Sequence, residues 1–413
     1  MDERSGKRNE VYKMMNSENI KQLEDKYTAN TYARYDVALA SGRGARAVSP
    51  EGREYIDFTA GIGVNSLGFC DPGWVEAVRK QAGTIQHMSN LFYSEPCATA
   101  AEKLVALSGM ASVFFANSGA EANEGAIKAA RKYSFTKYAG DAGDAFDRYR
   151  IVTLDGSFHG RTIATITATG QENYHKYFTP FLQGFDYAQT NDAGSLRETV
   201  TDKTCAIMIE FIQGEGGVNE LDSAFVEEIV GLCKDRDILL IADEVQTGVG
   251  RTGKFMSYEH FGVKPDIVTV AKGIGGGLPA GGVIFGEKVK DALGPGDHGS
   301  TFGGNPVVCA GIDYVLSRFM DGGIFLGEIA AKGAYFREKL LEIPGVKGVS
   351  GLGLMIGIDV GEKDPKAIVT EALGRGLLTL TAKNRLRLLP PLIIEKRDID
   401  EGLAILAGAV SAV

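Results

Sequence analysis

The sequence predicts an α/β protein: a large domain with a mostly parallel sheet covered by helices, plus a smaller α+β domain. Three observations carry this expectation. Between about residues 100 and 315, short apolar runs alternate with helical patterns, and runs buried on both faces belong to parallel sheets flanked by helices. After about residue 318 the alternation gives way to an amphipathic stretch, 328–341, followed by apolar strand runs at 348–360 and 377–389. Finally, 413 residues exceed what a single small core organises, so two domains are expected.

In chain order, residues 1 to about 30 are polar, lack a clear apolar face and read as a loosely held lead-in. Runs 45–48 and 54–58 flank Ser49-Pro50-Glu51-Gly52, which reads as a hairpin. Asp71 stands before Pro72, an N-cap ahead of a first-turn proline, so a helix is expected to start there. The strand candidates of the large sheet are 112–115, 150–154, 206–209, 238–242 and 266–270. The last apolar run, 403–413, is too short to span a bilayer and reads as the end of a packed helix.

Ligands of such sheets bind at the carboxyl ends of the strands. Four of the five runs lead within a few residues into Ser118-Gly119-Ala120-Glu121-Ala122-Asn123, Phe158-His159-Gly160-Arg161-Thr162, Asp243-Glu244-Val245-Gln246-Thr247-Gly248 or Ala271-Lys272-Gly273. The 206–209 run ends in Glu210 and Gln213-Gly214-Glu215-Gly216-Gly217. Ser118-Gly119-Ala120 opens a helix whose free N–H groups and dipole suit a phosphate, although alone it also fits an ordinary capped helix. Asp243 closes an apolar run, where a carboxylate needs a partner such as a protonated pyridine nitrogen; a structural aspartate is the other reading. Lys272, at a strand end before a glycine-rich turn, is placed to act as nucleophile and proton shuttle with a lowered pKa. A phosphate cradle, a stacking aromatic, an acid for a ring nitrogen and a Schiff-base lysine are together what pyridoxal 5'-phosphate requires. Arg387, among leucines in Leu386-Arg387-Leu388-Leu389, needs an anion, either a substrate carboxylate or a buried salt-bridge partner.

A net charge of −9 excludes the basic footprint of a nucleic-acid binder and offers nothing to an anionic membrane. The five cysteines are odd in number and widely spaced, and read as buried thiols in a reducing cytoplasm. The first 20 residues have no apolar core of a secretory signal. His87, His175, His260 and His298 show no metal-ligand spacing, so no metal is expected, and His159 reads as a local packing and hydrogen-bonding residue.

Together and in this order, the four motifs resemble the class III, ornithine-type aminotransferases from about Thr31 to the C-terminus. The resemblance implies fold type I, with residues 1–75 as part of the small domain, 76–317 as the large cofactor domain and 318–413 as the C-terminal small domain. It also implies that Val245 and Phe158 pack on opposite ring faces, that Gln246 bonds the ring hydroxyl and that Glu210 belongs to the cofactor site. Thr301 is implied as a phosphate ligand given by a second subunit, hence a homodimer with shared sites. Arg161 and Arg387 are implied to bind substrate carboxylates, with Glu215 pairing with Arg387 for one substrate and releasing it for the other. Met88–Pro96 looks like the branch that uses N2-acetyl-L-ornithine, and Ile62 points the same way. The implied reaction passes the terminal amino group to 2-oxoglutarate, giving N-acetyl-L-glutamate 5-semialdehyde and L-glutamate, in arginine biosynthesis. Other ω-amino donors (4-aminobutyrate, ornithine, succinylornithine) are the alternative, and a lyase or aminomutase fits less well. The chain departs from the family pattern at Gly68-Phe69-Cys70-Asp71-Pro72, at Phe211-Ile212 and in its longer polar N-terminus, to which no role is assigned.

Overall fold

A computed structural model describes residues 15–140 and 145–413; the first part of the expected lead-in lies outside these residues. The central feature is a seven-stranded sheet in the order Ser112–Ala116, Gly281–Phe285, Ile267–Ala271, Leu239–Asp243, Thr204–Ile209, Arg150–Leu154, Phe185–Ala188. Gly281–Phe285 runs antiparallel to both its neighbours, and the other pairings are parallel. The five expected strands therefore form, and two more join them. Phe185–Ala188 is a short edge strand with an alternating polar residue. Gly281–Phe285 begins with two glycines, which weakens its strand signal. A side chain at Gly281 would lie 2.3 Å from the Ser118 carbonyl oxygen, so the glycine lets the strand pass against the start of the cofactor-side helix.

Both faces of this sheet are covered. On one, Ala122, Ala126, Ala129 and Ala130 of the Gly119–Tyr138 helix pack on Ala206, Met208, Ile241 and Val283. On the other, Ile207, Ile209, Leu240 and Val268 belong to a larger core with Leu104, Ile312 and Val315. Alternate residues of each strand thus enter different cores, which is why these strands read as continuous apolar runs.

Two smaller sheets complete the chain. Ser41–Arg43, Arg46–Val48 and Glu54–Asp57 form an antiparallel set that includes the expected hairpin, and Leu377–Leu378 adds parallel to Glu54–Asp57. The N-terminal strands and a C-terminal strand therefore share one sheet. The second has the order Gly348–Ser350, Ile356–Asp359, Arg385–Leu388, Leu380–Ala382. Here the structure corrects the sequence reading, because neither 348–360 nor 377–389 is one strand. Gly351 and Gly353 have φ of 89° and 54°, and Lys383 has 52°, so the chain reverses where continuous strands were expected.

Asp71 caps the Pro72–Ala82 helix by accepting from the Gly73 and Trp74 amides, as expected. The helix expected at 328–341 begins earlier, at Ile324, because Asp321 accepts from the amides of Gly323 and Phe325. The last apolar run is the end of the Lys396–Ala412 helix, with Leu403, Leu406 and Val410 buried. Part of the lead-in forms the Ser17–Tyr27 helix, which buries none of its residues. The cysteine expectation needs correction: Cys205, Cys233 and Cys309 are buried, Cys97 is half-buried and Cys70 is exposed. Cys70 sits in a turn with φ of 52°, ahead of the Asp71 cap, where the backbone turns at the surface.

The Ile324–Leu341 helix crosses the 351–355 turn so closely that a methyl group on Gly333 would lie 2.3 Å from the Gly353 carbonyl oxygen. Backbone cannot yield as a side chain does, so Gly333→Ala should lower the unfolding free energy by ~1–3 kcal/mol, outweighing its better helix propensity. Urea denaturation checks this, and an unchanged midpoint would contradict it.

Candidate active site

Ser118, Phe158, Glu210, Asp243 and Lys272 all lie at or just beyond the carboxyl ends of strands of the large sheet and converge on a cavity of about 380 Å³. Gly119, Ala120, Val245 and Gln246 also line it. Nine of the cofactor-site residues expected from the sequence are therefore brought together within one chain.

Ser118 is the N-cap of the twenty-residue Gly119–Tyr138 helix, and its hydroxyl accepts from the Glu121 amide. A helix has no internal acceptors for its first amides, so those of Gly119 and Ala120 are available at the cavity wall. Gly119 has to be small: a Cβ there would lie 2.7 Å from Val245 Cγ1. Asp243, only 3% exposed, accepts from Asn123 Nδ2 and from the Val245 amide, and pairs with His159 Nδ1 at 2.8 Å. Asn123 also donates to the His159 carbonyl, so three groups orient the carboxylate. His159 has the hydrogen-bonding role expected of it. The motif Ser118–Asn123 alone does not show this role for Asn123. Its signal was an amide at the head of the stripe Ala126, Ile127, Ala130, one helical face that is otherwise apolar.

Lys272 borders the cavity with φ of 48°, a left-handed conformation rare outside glycine. Ser66 Oγ donates to the adjoining Gly273 carbonyl at 2.7 Å and helps hold that turn. Burial holds the Lys272 amine below the ordinary lysine range, and the Arg387 charge acts in the same direction against Glu215, Asp243 and Glu210. Burial also pushes the Glu210 carboxyl up to about 7, although it accepts from the Phe158 and Gly214 amides.

Beyond Gln246 lies a second charged group. Arg387, 3% exposed, meets Glu215 at 2.5 Å and donates to Gln246 Oε1 at 3.3 Å. Burial alone would raise the Glu215 carboxyl, but Arg387 outweighs it and leaves the carboxyl below its usual range.

Three expected residues stand apart from the cavity. Thr301 is exposed. Arg161 is exposed at the rim, its guanidinium 4.4 Å from the Tyr174 ring centre and 5.7 Å from that of Phe158. Ile62 is 41% exposed on an arch in which Ala60, Gly61, Ile62 and Gly63 all have positive φ. No helix among the described residues is long and apolar enough to cross a membrane, and none of their His, Cys, Asp and Glu side chains cluster to hold a metal.

These residues fit pyridoxal 5'-phosphate: free helix amides for the phosphate, a fixed buried carboxylate for the ring nitrogen, Val245 and Phe158 as apolar walls, and a lysine amine of lowered pKa. When bound, the cofactor supplies an aldehyde for an amine and a ring that draws electrons from the reacting carbon. A helix-covered, mostly parallel sheet that presents such a set at its strand ends defines a fold type I pyridoxal-phosphate enzyme.

The particular family follows from comparison with known proteins. The family model for class III aminotransferases matches residues 27–410, and the chain belongs to that family. It is 51% identical over 399 residues to the acetylornithine aminotransferase of Haemophilus ducreyi, covering 96% of this chain and 100% of that protein. It is 45% identical over 395 residues to the acetylornithine aminotransferase of Methanocaldococcus jannaschii, covering 94% and 96%. Among solved structures, the ornithine aminotransferase of Toxoplasma gondii superposes with a TM-score of 0.90 at 30% identity, covering 97% and 96% of the two chains. The N-acetylornithine aminotransferase of Stenotrophomonas maltophilia gives 0.79 at 36% identity, covering 95% and 98%. The chain is thus an aminotransferase that uses pyridoxal 5'-phosphate.

Lys272→Ala should keep the cavity and bind the phosphate ester, yet lose borohydride-fixable cofactor and nearly all turnover, since nucleophile and proton shuttle vanish together; protein mass and single-turnover rates check this. The Glu210 prediction concerns pH. A carboxyl raised from 4.5 to about 7 binds its proton more tightly when folded, so the stability it contributes is full below about 4.5 and lost as pH rises through 7. In the cofactor-free chain, Glu210→Gln should therefore flatten the fall in stability between pH 5 and 8, measured by urea unfolding at both values.

Proposed function

We propose that this aminotransferase moves the terminal amino group of N2-acetyl-L-ornithine to 2-oxoglutarate, giving N-acetyl-L-glutamate 5-semialdehyde and L-glutamate, a step of arginine biosynthesis. The acetylornithine aminotransferases that match over nearly their full length support this donor. The observation that carries the two-substrate reading is the Glu215–Arg387 pair beside Lys272.

In this reading Ser118, Gly119 and Ala120 hold the phosphate, and Asp243, oriented by Asn123 and His159, keeps the ring nitrogen protonated. Lys272 holds the cofactor and moves the proton at the reacting carbon. Gln246 would bond the ring hydroxyl, Val245 and Phe158 would pack on the ring, and Glu210 accepts from the Phe158 and Gly214 amides at the cavity wall. Acetylornithine brings one carboxylate, far from its reacting amine, so Arg161 binds it while Glu215 neutralises Arg387. Glutamate reacts at its α-amine and carries two carboxylates, so Arg387 must leave Glu215 for the nearer one. Ile62, on its strained arch, borders the donor's path.

The assembly we infer is a homodimer in the cytoplasm. Thr301 would act on the partner's phosphate, and a second copy would cover the exposed Leu91, Phe92, Tyr93 and Phe302. The division into 76–317 as the cofactor domain, with 1–75 and 318–413 as a discontinuous small domain, belongs to the same proposal. It agrees with the pairing of Glu54–Asp57 with Leu377–Leu378.

A single-turnover panel of acetylornithine, ornithine, succinylornithine and 4-aminobutyrate, followed by 2-oxoglutarate, tests the donor. The fastest first step should belong to acetylornithine, and a better rate with 4-aminobutyrate would overturn the assignment. Arg387→Ala should damage the glutamate half-reaction by ~2–5 kcal/mol, the cost of a carboxylate left unpaired away from water, and the acetylornithine half far less. Equal losses in both halves, measured separately by stopped flow, would sink the switch.

A further inference from the structure

Glu215 sits on a hairpin, Ile212–Gln213 against Asn219–Glu220, that lies on the sheet carrying Arg387. Arg385 and Arg387 are two apart on the Arg385–Leu388 strand, so their side chains share a face. They grip the same hairpin at different points. Arg387 meets Glu215, while Arg385 Nη1 donates to the Gly217 carbonyl at 3.2 Å, to Asn219 Oδ1 at 3.1 Å and to Ser350 Oγ at 2.8 Å. Asn219 Nδ2 in turn donates to the Gly216 carbonyl at 2.8 Å, stiffening the segment next to Glu215. Two further ties fix the hairpin to the same sheet. The Gly351 amide donates to Glu220 Oε1 at 2.8 Å, and Val218 is fully buried with Met355 and Leu389 despite a φ of 56°. A β-branched residue persists in that conformation only when its surroundings hold it there.

We propose that Arg385 is a positioning residue for the reaction. By clamping Gly217 and Asn219 to the sheet, it keeps the hairpin still, so that Arg387 is released by rotation of the Glu215 side chain and not by withdrawal of the loop. The inference rests on the Glu215–Arg387 switch described above. Its physical content is local. With the backbone of Glu215 fixed, the carboxylate returns to Arg387 whenever no second substrate carboxylate is present, and the monocarboxylate donor meets a neutralised site. With the clamp gone, Glu215 drifts, Arg387 stands free more of the time, and a dicarboxylate gains what the donor loses.

Arg385→Met keeps the long apolar stem and removes the donors, and the probes are acetylornithine in the first half-reaction and glutarate as an unreactive dicarboxylate. The variant should bind acetylornithine about tenfold more weakly, within the range of ordinary coupling between sites, with its maximal single-turnover rate kept, and should bind glutarate more tightly. Asn219→Ala, which leaves Arg385 in place but removes one of its acceptors together with the Asn219 bond to the Gly216 carbonyl, should move both ligands in the same directions, and it serves if Arg385→Met does not fold. A merely structural role would weaken both ligands together. Parallel weakening, or no change in either, would overturn the proposal. Failure of the switch itself is seen separately, as equal losses in both half-reactions for Arg387→Ala.

Discussion

A charge taken out of water is tolerated inside a protein only when something compensates it, and the candidate site depends on this constraint throughout. Asp243, Glu210, Glu215, Arg387 and Lys272 influence one another within or beside one cavity. Asp243 is met by Asn123, His159 and the Val245 amide, and Glu210 by two backbone amides. Glu215 and Arg387 neutralise each other. Among the described residues no hydrogen bond or ion pair holds the Lys272 amine, and burial keeps it below the ordinary range. Of these five groups, the one without a direct partner among the described residues is the one assigned the nucleophile's work.

The fold supplies these partners from several directions. Parallel strands bring the acid, the lysine and the helix amides to one edge of the large sheet, because each crossover returns the chain to the same end. Leu278, Pro279 and Ala280, just before the antiparallel strand, add a wall, and Gly281 lets that strand pass close to Ser118. Arg387 comes from a different sheet altogether, and it meets Gln246 at the edge of the cavity where that sheet packs against the Gln213–Glu220 hairpin. Asp243 and Arg387 therefore stand on separate sheets whose buried residues, Leu240 and Ala242 from one and Leu386 and Leu388 from the other, share one core, tied further by Arg251 donating to the Leu354 and Pro390 carbonyls.

The motifs were legible because cofactor chemistry imposes residue types at strand ends. Ser118-Gly119-Ala120, Asp243 and Lys272 each followed an apolar run, and the run's length fixed where its end would fall. The same reasoning failed at 348–360 and 377–389, where left-handed turns at Gly351, Gly353 and Lys383 break runs that hydropathy alone makes continuous. It also missed Phe185–Ala188 and Gly281–Phe285, whose strand character comes from their neighbours in the sheet and not from their own composition.

The sequence by itself determined the class of fold from its apolar runs and, through the resemblance of its strand-end motifs, the family and the cofactor. Tertiary structure alone decided that Asn123 and His159 share the Asp243 carboxylate, and that Arg385 ties the hairpin carrying Glu215 to the sheet of Arg387. Such pairings are set by how sheets and helices pack, and a one-dimensional pattern carries no record of which distant side chains are left facing each other once water has been excluded.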